Sequence, residues 1–321
     1  MGVGCMETRK IISFGNSSYV ISVPKAWIRE NKLKKGDSIH IDEKKDELLI
    51  YPCQVDKKEE PKQIIIDIDN KDITLIRSEV VSAYLNGYDT IEIKGPIEKN
   101  APKIKAVLRN LSGLEIIQQD ASKIVAKDLL NMEEISIITL IRRMDNIVRS
   151  MLIDSVASIQ KNHHEEIAER DFEVNRLVYL AYRVIRAAMI DSRLAKKLGK
   201  TNLELLTDWI MVSKLEKVGD KSKRTARYLA NSNLSMEEKR ELEKIFIEIK
   251  EAYFNIMASY YKKDIRTAFD IENAHLVMIN RCNEFVKDRH NASAHMVIEQ
   301  LKSLETSVRY IARAVMGMEI V

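Results

Sequence analysis

The chain is short of cysteine, and this shortage excludes two classes of small structural site. Its 321 residues include only Cys5, Cys53 and Cys282, which lie far apart and form no Cys-x-x-Cys pair. A cysteine-based zinc finger and a disulfide framework are therefore both excluded. Isolated thiols of this kind are typical of a reducing compartment, so we expect a cytoplasmic protein.

Long hydrophobic runs are also missing. No apolar stretch approaches the ~18 residues of a membrane span. Charged residues enter at Glu7, Arg9 and Lys10, before any apolar stretch of useful length, so the beginning of the chain does not read as a secretory signal. We therefore expect no membrane insertion.

Proline and glycine are scarce and unevenly distributed. All five prolines lie at or before Pro102, and after residue 113 only Gly199, Gly219 and Gly317 interrupt the chain. Because proline breaks helices and glycine weakens them, the last two thirds are predicted to form a helical bundle, and the first third to mix helices and strands. The net charge of +4, from 52 basic and 48 acidic residues, is too balanced to indicate nucleic-acid binding by itself.

The prediction is a multidomain α+β chain with three units, at residues 1–53, 62–128 and 133–321. The first unit reads as two short strands joined by a Gly15 turn, a short helix that begins after Pro24, and a hairpin. A unit this small buries little core alone. We therefore expect a second copy to complete it.

Basic residues are concentrated at the front of the chain. Residues 1–36 hold seven basic side chains against two acidic ones. The basic side chains are Arg9, Lys10, Lys25, Arg29, Lys32, Lys34 and Lys35. A dimer presents this set twice, which favours contact with DNA phosphates. The alternative is a dimerisation module whose cations are only solvated.

The order of elements in residues 7–51 resembles the SpoVT/AbrB swapped-hairpin family. The resemblance rests on a strand, the Gly15–Asn16–Ser17 turn, a strand ending Val23–Pro24–Lys25, a short helix, the Lys34–Lys35–Gly36–Asp37 turn and a hairpin. It implies a small β-barrel formed by two interlocked chains that binds DNA. The predicted DNA contacts are Arg9, Lys10, Lys25 and Arg29, because they flank the turn and the short helix, where a dimer would present them twice.

Residues 62–128 are predicted to form a βαβαββ unit, with helices over 74–86 and 103–111 on one face of a small sheet. They contain no glycine-rich phosphate loop, no metal-ligand spacing and no nucleophile arrangement. A connecting or dimer-supporting role is the interpretation for this unit, with small-ligand binding as the alternative.

The rear unit reads as six long helices in two sets of three. Their predicted ranges are about 133–162, 165–195, 202–230, 235–262, 264–288 and 292–318. Thr201 with Glu204 and Ser235 with Glu238 have the spacing of capping boxes, which marks two of the helix starts. Six helices of similar length indicate an internal duplication.

Two segments of the rear unit resemble the PhoU family of phosphate-uptake regulators, namely residues 170–186 and 215–226. The resemblance extends over about residues 135–318. It implies iron or zinc clusters held by ExxxD carboxylates from neighbouring helices. Glu216 and Asp220 are four apart and share one helix face, and Asp171 and Glu173 belong to the matching helix.

The sequence departs from that pattern at several positions. Asn175 stands where an aspartate is usual, and the second repeat has Lys302 and Thr306 at the carboxylate positions. Because a protonated lysine cannot bind a metal, we expect iron or zinc at one degenerate acidic site at most. Lys302 is expected to pair with Asp264 or Asp270 instead.

Together the three units resemble archaeal PhoU-like regulators. The first hypothesis is a homodimeric, DNA-binding transcriptional regulator of phosphate uptake, with a bundle that senses a state or docks on a partner. The alternative is a PhoU-type adaptor that regulates a phosphate transporter or signalling protein without binding DNA. A metal-dependent enzyme is the third hypothesis. It is disfavoured because the second repeat lacks the carboxylates. No Ser–His–Asp or Cys–His arrangement has motif support either, so the chain is predicted not to be an enzyme.

Overall fold

The computed structural model describes residues 7–43, 46–53, 61–287 and 289–318. Contacts between residues divide the chain into two compact units, 1–60 and 61–321. Cys5 and the last residues of the predicted rear unit, 319–321, lie outside the described residues.

The first unit consists of two separate hairpins and a short helix. Strands β1 (Ile12–Phe14) and β2 (Ser18–Val20) pair antiparallel around a turn in which Gly15 has a φ of 69°. Helix α1 (Lys25–Glu30) begins directly after Pro24, as predicted. Strands β3 (Ile39–Glu43) and β4 (Leu48–Pro52) form the second antiparallel hairpin.

None of the described residues in this unit is buried. Its large apolar side chains lie in contact with solvent, namely Ile11, Ile12, Phe14, Tyr19, Val20, Ile21, Ile39, Ile41 and Leu48. A lone two-stranded hairpin is marginally stable at best in water. One chain therefore supplies strands and a helix to this unit, but no core.

The second unit begins with a four-stranded mixed sheet that carries two helices. Its elements are β5 (Gln63–Asp67), α2 (Ile73–Leu85), β6 (Thr90–Lys94), α3 (Ile97–Arg109), β7 (Leu114–Gln119) and β8 (Lys123–Asp128). The strand order is β5-β6-β8-β7, in which β5 and β6 are parallel and the other pairs antiparallel. Alternate strand residues such as Ile91 and Ile93 bury one sheet face against Ile76 of α2 and Ile104 of α3. The predicted βαβαββ order is confirmed.

Helix α3 begins earlier than predicted. Pro102 lies inside the helix, whereas the sequence places the helix start at Lys103. Proline removes one backbone hydrogen bond and is disfavoured in a helix interior. Here Ile97 is buried against the sheet, and this burial retains the first turns despite the proline.

Among the described residues, seven helices follow a 3-10 turn at Met132–Glu134. They are α4 (Ile137–Ala157), α5 (His164–Ile190), α6 (Ser192–Lys197), α7 (Asn202–Ala230), α8 (Met236–Lys262), α9 (Ile265–Val286) and α10 (Ala292–Met316). The predicted helix over 165–195 is divided at Asp191, because its side chain accepts a hydrogen bond from the backbone N–H of Arg193 and caps α6. The predicted first helix, over 133–162, is shorter at both ends.

Helix α7 lies at the centre of the bundle and packs against α4, α5 and α10. Both predicted capping boxes are present, at Thr201 for α7 and Ser235 for α8. A single apolar core runs through both sets of helices. No helix in the described part of the chain is long and apolar enough to cross a membrane.

Helix α5 joins the bundle to the sheet through one buried cation. Arg183 is 1% exposed, donates a 2.8 Å hydrogen bond to the backbone carbonyl of Tyr84, and pairs with Asp128. Its guanidinium also lies 4.4 Å from the centre of the Tyr84 ring. Arg186, one turn further along α5, donates a 2.7 Å hydrogen bond to the Asn86 side chain at the end of α2. The sheet unit and the bundle thus share two polar contacts made by arginines of α5.

Candidate functional site

The predicted DNA contacts lie on the surface of the first unit. Lys25 and Arg29 are one turn apart on α1, so they project from the same helix face, and both are exposed. Lys10 precedes β1 and is exposed as well. Within the described residues, Lys10, Lys25 and Arg29 have no acidic partner, whereas Arg9 pairs with Glu7. Three of the four predicted contacts thus present their charge to solvent.

The predicted acidic residues of the bundle are held by basic side chains. The ammonium of Lys223 on α7 lies 2.5 Å from the Asp171 carboxylate of α5 and 3.6 Å from that of Asp220. Asp220 also forms an ion pair with Arg224, whose Nε lies 2.9 Å from the carboxylate oxygen Oδ2. The structure therefore brings Asp171 and Asp220 together, but around a protein cation.

The other two predicted ligands lie apart from this pair. Glu216 pairs with Lys217 at 3.2 Å, and Glu173 is exposed on α5. Asn175 donates a 3.2 Å hydrogen bond to Asp171. Across the described ranges, no group of three or more His, Cys, Asp or Glu side chains could hold a metal ion. The residues present do not fit an iron or zinc cluster, because Lys223 and Arg224 already pair with the two acids that converge.

The second repeat has a similar ion pair between its last two helices. Glu272 of α9 receives hydrogen bonds from Arg309 at 2.6 Å and Arg313 at 2.8 Å on α10. Hydrogen bonds from Arg313 and then Arg309 lower the pKa of Glu272 to about 2.

Lys302 does not reach the acids predicted for it. It pairs with Glu299 on its own helix at 2.7 Å, rather than with Asp264 or Asp270. The expected pairing was wrong because the spacing of three residues along α10 brings Glu299 closer than any acid of the preceding helix.

A buried pair of titratable side chains was not predicted. His275 Nδ1 and Glu305 Oε2 lie 2.5 Å apart between α9 and α10, and both residues are less than a tenth exposed. Burial raises the pKa of Glu305 to about 7 and lowers the pKa of His275. The sequence signal was available in principle, because Glu305 falls between the apolar positions Leu304 and Val308 of α10.

Comparison with protein families supports the two-part organisation. Residues 12–62 match the family of MazE, a bacterial antitoxin that recognises its toxin, and residues 141–229 match the PhoU domain. The second match spans most of α4 and continues through α5, α6 and α7, which is the first set of bundle helices. No curated protein and no solved structure matches the chain. The chain thus combines a MazE/AbrB-like front with a PhoU-like bundle, and both families are regulatory.

Proposed function

We propose that the chain is a homodimeric DNA-binding regulator of phosphate uptake. The observation that carries the proposal is the first unit, which exposes both its apolar hairpins and its unpaired cations. The family matches at residues 12–62 and 141–229 support the same pairing of a DNA-binding front with a phosphate-related bundle.

Dimerisation follows from the apolar surface of the first unit. Phe14 and Tyr19 flank the β1–β2 turn and are 70% and 75% exposed, and Ile41 on β3 is 60% exposed. A groove of about 480 Å³ lined by Pro24, Trp27 and other residues of this unit is open to solvent as well. A second copy of the unit would cover these side chains, because each copy lacks the same core.

DNA contact follows from the charge that a dimer would display. Lys10, Lys25 and Arg29 have no acidic partner within the described chain, so their charges are available to phosphates. Each protein cation that neutralises a phosphate releases condensed counterions, which drives binding at low salt. A dimer doubles the number of such contacts on one surface.

The decisive measurement is DNA binding across a salt series. Fluorescence anisotropy would follow the full chain and the Lys10→Ala/Lys25→Ala/Arg29→Ala variant on duplex fragments from upstream of phosphate-transport genes. We expect the affinity of the wild type to fall steeply with salt, and the variant to bind more weakly. The log–log slope of the variant should flatten by about 0.9 for each phosphate that it no longer neutralises.

Lys302→Ala is the control, because it removes a cation of the bundle that already pairs with Glu299. It should leave the affinity and the salt slope unchanged. If the wild type binds none of the fragments in a salt-dependent way, the regulator proposal fails. If Lys302→Ala weakens binding as much as the triple change, the bundle is the contact surface.

The adaptor function is the second candidate, and one feature of the bundle favours it. Helix α9 packs on α8 and α10 and leaves Phe269, Leu276 and Val277 between 51% and 70% exposed on its outer side. Such a face suits a protein partner. The adaptor would bind a phosphate transporter or signalling protein through the bundle and would not bind DNA, so the same anisotropy series separates the two candidates.

A cytoplasmic location fits both candidate functions, since Cys282 is a free thiol.

A further inference from the structure

A cavity of about 290 Å³ opens where the two sets of bundle helices meet. It is bounded by the start of α4, the junction between α6 and α7, the end of α8, and the residues that follow α10. Helices α4 and α7 belong to the first repeat, whereas α8 and α10 belong to the second. A ligand bound here would contact both repeats at once.

The acidic side chains of this cavity are already satisfied by the protein. Asp208 is 2% exposed, lies 2.8 Å from the Lys200 ammonium, and accepts a 3.4 Å hydrogen bond from the Tyr260 hydroxyl. Glu204 accepts hydrogen bonds from the backbone N–H and hydroxyl of Thr201, at 2.8 and 3.0 Å. Neither carboxylate is therefore free to hold a cationic ligand.

Two cations of the same cavity have no such partner. Within the described residues, no ion pair or hydrogen bond joins Arg142 or Lys263 to an acid. The guanidinium of Arg142 instead lies 4.9 Å from the centre of the Tyr261 ring. Lys200 is paired with Asp208, and the charged carboxylate of Glu204 offsets one of the two remaining cations. The cavity therefore keeps one net positive charge, which favours an anionic ligand.

The backbone holds Lys263 in an unusual conformation. This residue follows α8 with φ 55° and ψ 36°, a left-handed geometry that glycine or asparagine adopts more easily than lysine. A lysine is therefore held at a position where its backbone is strained. Lys263 is one of the residues that line the cavity.

Part of the wall is apolar, and the size of the cavity limits the size of the ligand. Ile138, Leu203 and the Tyr261 ring line the cavity beside the cations. Its volume is at the lower end of the roughly 300–1,000 Å³ typical of small-molecule sites. The cavity suits a compact molecule with one anionic group and one apolar or aromatic group.

We propose that this cavity binds a compact organic phosphate, with the phosphate at Arg142 and Lys263 and the organic group against the apolar wall. A phosphate monoester carries about −1.5 to −2 charge at neutral pH, so the net positive charge of the cavity attracts it. The site goes beyond the regulator function proposed above, and it stands whether or not the front unit binds DNA.

Isothermal titration calorimetry of the full chain with phenyl phosphate tests the site. Inorganic phosphate and phenol are the comparison probes, because the first has only the phosphate group and the second has only the aromatic ring. We expect saturable binding of phenyl phosphate, weaker binding of inorganic phosphate and no binding of phenol. Arg142→Gln and Lys263→Asn should each weaken phenyl phosphate by about ten- to hundredfold, the loss expected for a charge-assisted hydrogen bond. Asparagine tolerates the left-handed backbone, so the second variant should fold normally.

Arg143→Gln and Lys262→Asn are the matched controls, since each removes the neighbouring cation that does not line the cavity. Both should bind phenyl phosphate like the wild type. The proposal is overturned if phenyl phosphate shows no saturable binding, or if the control variants lose as much affinity as the cavity variants. It is also overturned if inorganic phosphate or phenol binds as tightly as phenyl phosphate.

Discussion

At the scale of single residues, Arg183 is the side chain on which the joint between sheet and bundle depends. We expect Arg183→Met to lower the free energy of unfolding by about 3–5 kcal/mol, because it leaves the Asp128 carboxylate buried without a cation. The Tyr84 carbonyl would also lose its donor. Urea unfolding followed by circular dichroism measures the change.

Arg224→Met is the control for this variant, because Arg224 is 47% exposed and its pair with Asp220 contributes about 1 kcal/mol or less. Arg183→Met/Asp128→Asn should recover part of the loss by removing the orphaned charge. A stability of Arg183→Met within about 1 kcal/mol of the wild type would contradict the role assigned to the buried pair.

Glu305 should make the stability of the bundle depend on pH. Its pKa is about 7 in the folded protein against an ordinary value of 4.5, so between these values the unfolded chain loses its proton first. Deprotonation of the unfolded chain favours unfolding. The stability that the protonated Glu305 carboxyl group provides is therefore lost as the pH rises from about 4.5 to 7. The lowered pKa of His275 acts in the opposite sense, since protonation of the unfolded chain costs stability as the pH falls below 6.5.

Comparison with Glu305→Gln isolates the contribution of the carboxyl group. Between about pH 4.5 and about pH 7.5 the wild type loses the stability that depends on this carboxyl group, and the variant does not. The free energy of unfolding of the variant minus that of the wild type should therefore rise by about 2–4 kcal/mol over this range. Glu284→Gln, which removes an exposed carboxyl from α9, should show no such trend. A constant difference between Glu305→Gln and the wild type across this range would refute the buried, raised pKa.

At the scale of elements, the two repeats use the same ion pair between their second and third helices. Lys223 of α7 pairs with Asp171 of α5, and Arg309 of α10 pairs with Glu272 of α9. The alignment that matches Glu216 with Lys302 also matches Lys223 with Arg309. In both repeats a protein cation therefore neutralises the acid of the neighbouring helix.

We therefore expect the bundle to be stable without metal. Chelation with EDTA should leave its thermal unfolding temperature unchanged, whereas Lys223→Met should lower that temperature by several degrees, because Asp171 is 7% exposed and loses its partner. Lys217→Met, on the exposed side of α7, is the control. If the purified protein retains iron or zinc and Asp220→Ala loses it, the metal site predicted from the sequence exists and the expectation of a metal-free bundle is wrong.

The sequence predicted the elements far better than the contacts between them. Glycine, proline and capping patterns located α7 and α8 to within a residue or two, because these signals act through the local backbone. The start of α3 and the break at Asp191 were missed, since burial of Ile97 and the capping of α6 decide them. The pairing of Asp171 with Lys223 depends on how two helices are rotated against each other, which no local pattern specifies.

At the scale of the whole molecule, the two units differ in whether one chain can complete them. The bundle and the sheet each bury a continuous apolar core. The front unit buries none of its described residues, and its exposed apolar side chains lie on two hairpins that do not pair with each other. The sequence indicated this difference, because so short a unit made of a few short strands buries little core by itself.

Dimerisation should therefore depend on the front unit, and Phe14 is the side chain to change. Burying one such phenyl group contributes about 1.5–3 kcal/mol, and a symmetric dimer buries two, so Phe14→Asp should weaken the dimer by at least about a hundredfold. Sedimentation velocity of the full chain over a concentration series should show a dimer for the wild type and a monomer for Phe14→Asp. Leu276→Asp, which places the same charge on the 69% exposed face of α9, should remain dimeric. The reverse pattern, with Leu276→Asp monomeric and Phe14→Asp dimeric, would mean that the bundle holds the two chains together.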